Sequence, residues 1–309
     1  MRTSSRLGVF GLGVAAVFSL AAAVGAGLDP IDVGASPDQS DVPSDTGMAS
    51  DTDNSAEVVE LSGLTVAADG YRFVTDITTV AANTPSRFAF RIVDSDDSAL
   101  TEFDTLHERQ LHLIVLSRNM VEYLHLHPLM DADGTWRVDL PGLNPGSYRV
   151  YADFKPNGSD RITLATDLAV PGLVEPFDIP KASPRADIDG FTVSLLGDQG
   201  VGESTLTFDV TLNATAVVTE PYLGAAGHLV VIRQGDLGYL HVHQLDGGSG
   251  PVRFAAEFPT PGTYRLFYEF SYDGTVRTAS FTVEVAALNS TTNDSSMSGM
   301  SGNHESDSA

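Results

Sequence analysis
The chain has 309 residues, 17 Lys or Arg against 41 Asp or Glu, a formal net charge of −24, and no cysteine. That acidity argues against nucleic acid, whose phosphates would repel it, and against an anionic membrane surface. The missing thiols exclude disulfides, thiolate metal sites and cysteine nucleophiles, while a hydrophobic fraction of 42% supplies material for about two ordinary domains.

Arg2 and Arg6 precede a charge-free run from Leu7 to Leu28, and Val24-Gly25-Ala26 offers small residues for cleavage. Residues 1–28 therefore read as a signal peptide or, at roughly 20 apolar residues, as an uncleaved hydrophobic helix anchoring the chain through 7–28. In either case the remainder is expected to be extracytoplasmic, secreted or membrane-anchored at the cell surface. Residues 29–58 are rich in Asp, Ser, Pro and Thr, too poor in apolar side chains to form a core, and read as a disordered acidic linker. Residues 287–309 form a similar disordered tail, in which Met297, Met300 and His304 offer soft donors for Cu(I).

Between linker and tail, short runs such as 87–93, 111–116 and 146–154 are rich in Val, Thr, Phe, Tyr and Leu and are separated by Gly, Pro and Asp. No long stretch has helical periodicity. This pattern predicts an all-β chain of sandwich domains. An internal repeat divides it. Residues 110–116, 122–127 and 145–154 recur at 226–232, 238–243 and 261–270, at a constant offset of 116. Domain one is placed at 59–171 and domain two at 182–286. The linker between them, 172–181, lies within a stretch bounded by Pro171 and Pro184 that also holds Pro176 and Pro180 and reads as a stiff connector.

Seven of the eight histidines fall within 107–127 and 228–243. A two-residue turn at Arg118-Asn119 predicts that His112 stands opposite His125, roughly 5 Å apart at Cβ. His127, two residues beyond His125, shares their face. The second copy repeats the pattern with His228, His241 and His243 about a turn at Gln234-Gly235. Asp153 and Glu269 occupy equivalent places on the strand after Pro-Gly. In an immunoglobulin-like sandwich that strand lies beside the first histidine strand, so each acid serves as an oxygen ligand or as an acceptor that orients an imidazole. His107 and Asp104 lack counterparts in copy two. Tyr148 and Tyr264 are expected to pin a corner of each sandwich.

Three imidazoles with a carboxylate suit copper or zinc, and Cu(II) stands above Zn(II) at a generic nitrogen site. Two plainer readings compete. His-x-His pairs on strands often face solvent, and a buried cluster can be held by hydrogen bonds alone. Asn157, Asn213, Asn289 and Asn293 each begin a glycosylation sequon, a short and common pattern.

The run at 112–150, with His-Leu-Ile-Val, Tyr-Leu-His-Leu-His-Pro and Pro-Gly-Ser-Tyr-Arg-Val, resembles exported β-sandwich proteins of actinobacterial type. It is more distantly similar to YtkA-like and CopC-like domains. The likeness covers one hairpin and one following strand per copy. It implies a tandem immunoglobulin-like fold and copper handling outside the cytoplasm, in buffering, delivery or sensing. Two departures stand out: a long linker replaces the N-terminal histidine of a mature CopC-like chain, and Gln244 stands where copy one has Pro128. The alternative function is a structural or adhesive cell-surface module without metal. An enzyme is disfavoured, because no general base, phosphate loop or Ser-His-Asp signature is evident. The protein partner is left open.

Overall fold
The computed structural model describes residues 61–287, apart from Glu175, Phe177 and 246–249. The expected signal or anchor, the acidic linker and the tail from residue 288 lie outside the described residues. Among the described residues no helix is long and apolar enough to cross a membrane.

The first repeat forms β1 (Ala67–Ala68), β2 (Tyr71–Val74), β3 (Ser86–Val93), β4 (Phe103–Asp104), β5 (Leu111–Ser117), β6 (Tyr123–Leu126), β7 (Leu129–Met130), β8 (Trp136–Leu140), β9 (Gly146–Pro156) and β10 (Ile162–Val170). The second forms β11 (Arg185–Ile188), β12 (Phe191–Leu196), β13 (Gly202–Leu212), β14 (Thr215–Ala216), β15 (His228–Arg233), β16 (Tyr239–Leu240), β17 (Val242–Gln244), β18 (Val252–Phe258), β19 (Gly262–Tyr272) and β20 (Thr275–Val285). Each repeat makes two sheets. Their orders are β1-β2-β3-β8-β7 and β10-β9-β5-β6 in the first, with β4 on β9. In the second they are β11-β12-β13-β18-β17, with β14 on β13, and β16-β15-β19-β20. The fold is thus all-β, two tandem immunoglobulin-like sandwiches.

Alternation of side chains sets the layers. On β3, Phe88, Phe90 and Ile92 point inward while Arg87 and Arg91 are exposed. They meet Leu111, Leu113, Val115, Val150 and Phe154 from the facing sheet. The second core repeats this with Phe208, Val231, Leu266, Tyr268 and Phe281. Each sandwich has its tyrosine corner: Tyr148 Oη donates to the Asn144 carbonyl at 2.8 Å and Tyr264 Oη to the Thr260 carbonyl at 2.9 Å.

β5 is buried at every position, which a sheet with one wet face does not produce. Both sandwiches belong to one compact unit, and a third apolar cluster joins them. Ile114, Leu116, Met120, Tyr151 and Ala165 pack against Val230, Ile232, Leu237, Tyr239 and Phe267. Most of these are equivalent positions of the two repeats. Tyr123 stacks on Phe267 with ring centroids 4.2 Å apart, and the exchanged pair Tyr239–Tyr151 lies at 5.6 Å. The repeats therefore meet through the same face of each, the self-complementary arrangement of a two-fold dimer made within one chain.

The predicted hairpin registers are corrected by two residues. His125 pairs with Ile114, not His112, and Leu126 with Leu113. The loop is longer than two residues: Ser117 N donates to the Glu122 carbonyl at 2.9 Å, and Met120 takes a left-handed φ of 58°. In the second copy Val231 pairs with Leu240 and Ile232 with Tyr239, so His228 and His241 are not opposite either. A slip of two keeps every side chain on its face, and the histidines of copy one stay together.

Candidate functional site
β5 carries His112 on the face turned toward the second domain. β9 sets Asp153 directly beside it, and β19 sets Glu269 beside His228. The group brought together is His112, His125 and His127, whose ligand atoms all lie within 4.8 Å of one another. His112 Nε2 donates to the Leu106 carbonyl at 2.9 Å. Its Nδ1 faces His125 Nε2 at 2.9 Å. A neutral His112 so held has its lone pair at Nδ1, hence His125 Nε2 is the donor. His125 Nδ1 then lies 2.5 Å from Glu269 Oε2, with both side chains 5–6% exposed. His127 Nε2 is buried without a hydrogen-bond partner. Burial first, then the neighbouring His125, pushes the His112 and His127 imidazoles down to about 3. Burial likewise lowers His228 to about 4. Imidazoles kept neutral are imidazoles with lone pairs to give.

The acids do not serve the histidines of their own copy. Glu269, from domain two, orients His125 of domain one. Asp153 is held by Arg161 (Nε to Oδ1 2.8 Å) and by the Thr163 hydroxyl at 3.1 Å. Burial alone would raise its carboxyl, but the Arg161 guanidinium outweighs this and holds it well below the usual carboxylate range. Across the joint, His241 Nε2 is 3.9 Å from Asp153 Oδ1 and 3.0 Å from Thr163 Oγ1. The two cross-domain pairs, His125–Glu269 and His241–Asp153, are exchanged by the pseudo-two-fold relation.

The second trio is not assembled as expected. Among the described residues, His228, His241 and His243 are not part of a group as close as that of copy one. Pairing of β16 with β15 stops at Leu240, and β17 crosses to the other sheet, where His243 pairs with Ala255 and Gln244 with Phe254. Copy one keeps its strand on β5 through Leu126. There the residue equivalent to Gln244 is Pro128, which has no N–H to give to the other ladder. His228 keeps half of the pattern: Nε2 donates to the Tyr222 carbonyl at 2.8 Å, as His112 does to Leu106.

Sequence reasoning missed Arg161, Thr163 and Ser62, whose hydroxyl lies 3.3 Å from His241 Nδ1. His107 was ranked behind the trio, yet its ring lies 4.9 Å from that of His228. Asp104 is elsewhere, 3.2 Å from Lys155 Nζ.

The three imidazoles fit a transition-metal ion. A metal bound through His112 Nδ1 and His125 Nε2 would leave each outer nitrogen donating to an acceptor already in place, the Leu106 carbonyl and the Glu269 carboxylate, as metal-ligating histidines generally do. His127 Nε2 would gain the partner it lacks.

Among solved structures, the chain is similar to the Escherichia coli adhesin FdeC, with 14% identity over 71% of this chain and 65% of that one, at a TM-score of 0.23. It is also similar to domains 4–9 of the surface layer protein SbsC, with 12% identity over 70% and 31% and a TM-score of 0.23. Salmonella α-2-macroglobulin matches with 12% identity over 74% and 15%, at a TM-score of 0.26. The chain spans less than two thirds of each of these structures, and scores this low carry no functional argument. No protein of curated function matches the sequence. One family model matches it twice, over 65–171 and again over 186–287, so the chain belongs to the family described as a domain of unknown function, DUF8832.

Proposed function
We propose that the protein is a non-enzymatic, extracytoplasmic tandem β-sandwich module whose domain joint binds a transition-metal ion through His112, His125 and His127. Copper is the favoured ion and zinc the alternative, with buffering, delivery or sensing as the role. One observation carries the reading. Three imidazoles, one buried and two part-buried, converge within 4.8 Å, and the outer nitrogens of two of them are already fixed by a carbonyl and a carboxylate. The order of affinities at nitrogen sites favours Cu(II) over Zn(II), and the resemblance to YtkA-like and CopC-like domains points the same way. The net charge of −24 draws cations toward the protein. The export-like N-terminus supports a place outside the cytoplasm.

A second reading keeps the module and drops the metal. Its support is that His112 and His125 satisfy each other and their outer partners by hydrogen bonds alone, so the cluster can act as a polar clasp between domains. A thermal melt of the chain with Cu(II), Zn(II) or chelator separates the two. A ligand that binds only the native state at a hundredfold excess over Kd adds about 2.7 kcal/mol. A rise in Tm with one metal, abolished by His125→Ala with His127→Ala, is the expected result. No rise with either metal would leave the structural or adhesive module as the reading.

A further inference from the structure
Outside the three-histidine group the joint holds His241, which faces Asp153 and Thr163, and His107 and His228, which face each other. His107 sits in a tight hairpin turn closed by Leu106 N to Arg109 O at 2.7 Å and Arg109 N to Leu106 O at 3.0 Å. Both central residues are left-handed, His107 at φ 47° and Glu108 at φ 60°. Such a turn favours Asn-Gly, because in the left-handed region a Cβ crowds the following carbonyl oxygen. Copy two makes the same turn with Leu223 and Gly224 at φ 51° and 73°, and there Leu223 is buried. Copy one thus spends an exposed histidine on a strained position where its sister has a packed leucine. What the histidine gains is a neighbour in the other domain.

We propose that His107 and His228 hold a second metal ion, one imidazole from each domain, beside the ion at His112, His125 and His127. This rests on the reading of that trio as a metal site. The His107 and His228 rings are 4.9 Å apart, and both lie near His112, at 6.1 and 6.4 Å. His228 Nε2 is tied to the Tyr222 carbonyl, which leaves Nδ1 as its ligand atom. A cavity of about 40 Å³ is lined by His107, His112, His125, His228 and Gln244 and by the Asp153–Arg161 pair, whose charges offset each other, room enough for an ion with little else. Gln244 lines the same cavity, and its Oε1 is buried without a hydrogen-bond partner, so we count it as the oxygen donor of the proposed ion. Two imidazoles and one amide oxygen leave coordination positions for water on the exposed His107 side. This outer ion is therefore the weaker and more exchangeable of the two, and the trio the tighter.

The test is titration of the full-length, metal-free chain with Cu(II), followed by calorimetry and electron paramagnetic resonance. The expected result is a tight ion and a weaker ion, with the resonance broadened at the second equivalent by the neighbouring spin. His107→Leu, which installs the residue of copy two at an exposed turn, should remove the weaker ion and the broadening while leaving the tight ion unchanged. A single ion in the wild type, or a second ion insensitive to His107→Leu, overturns the inference. His127→Ala tests the underlying reading separately: loss of the tight ion keeps the trio as a site whatever becomes of His107. Binding unchanged by either substitution removes both.

Discussion

The two repeats begin from the same residues at the same spacing and end with different sites. In copy one the hairpin of β9 and β10 pairs Phe154 with Ile162. In copy two the two-residue turn at Asp273-Gly274 pairs Phe270 with Arg277, one position short of the residue equivalent to Ile162. A slip of one residue turns every side chain of the strand to the opposite face. Arg161 therefore lies at the joint and captures Asp153, whereas Arg277 stacks over Phe191, 4.7 Å from its ring, beside Asp189. Thr163 pairs with Asp153 and donates to it; the residue paired with Glu269 is again a threonine, Thr278, so the arginine is what copy two lacks there. Glu269 has thus lost its arginine and is one methylene longer, so it reaches across to His125. A single register slip separates an acid neutralised in its own domain from one lent to the other.

The largest expected effect tests whether the joint is as firm as a core. Phe267 is fully buried between the domains and stacks on Tyr123. Phe267→Ala should cost about 3–5 kcal/mol, read as the urea midpoint at constant slope. A loss below about 1 kcal/mol would mean that the repeats stand apart in solution. Next comes the contrast between copies. His125→Ala with His127→Ala should abolish metal stabilisation, worth about 2.7 kcal/mol at a hundredfold excess, whereas His241→Ala with His243→Ala should leave most of it. Equal losses from both pairs would restore one site per repeat.

The fold and the residue types of the site were legible because they rest on local pattern. Alternation located β3, β5 and β9, and the repeat supplied a second reading of each. The tyrosine corners followed from Pro-Gly-x-Tyr. Placing β9 beside β5 brought Asp153 next to His112, as the sandwich topology predicts. What could not be read was anything set by register or by the other domain. A two-residue turn was the simplest closure for β5 and β6, but the loop is longer. Copy one crosses to its other sheet as well, at β7 with Leu129 on Arg137, but only after staying on β5 through Leu126, whereas copy two leaves β15 after Leu240; where the strand departs appears only once the second sheet is present. The pairing of His125 with Glu269 joins residues 144 apart in sequence, across an interface that no periodicity announces. The all-buried pattern of β5 was the available signal for that interface: His112, Ile114 and Leu116 form a second, largely apolar face that one sandwich core cannot explain.

A smaller effect sharpens the contrast between the two acids. Glu269→Gln keeps the side-chain shape but removes the carboxylate that orients His125. Loss of such a partner typically costs 10–100-fold in metal affinity, and that weakening is expected in a competition titration. Asp153→Asn should leave the affinity nearly unchanged and instead lower stability, because Arg161 loses its partner. If the two substitutions weaken metal binding equally, the acids are not differentiated as the register slip implies.

The smallest effect concerns protons. In the unfolded chain His112 and His127 take up protons near 6.5, whereas in the native protein burial delays this until about 3. Between those values the unfolded state binds more protons, so the free energy of unfolding rises with pH. The contribution is complete above about 6.5 and is lost as the pH falls toward 3. His228 adds to it between the same upper limit and about 4. In chelator, Tm should therefore fall from pH 7 to pH 4. His112→Gln with His127→Gln should flatten the slope by up to about 1.4 kcal/mol per pH unit for each histidine removed.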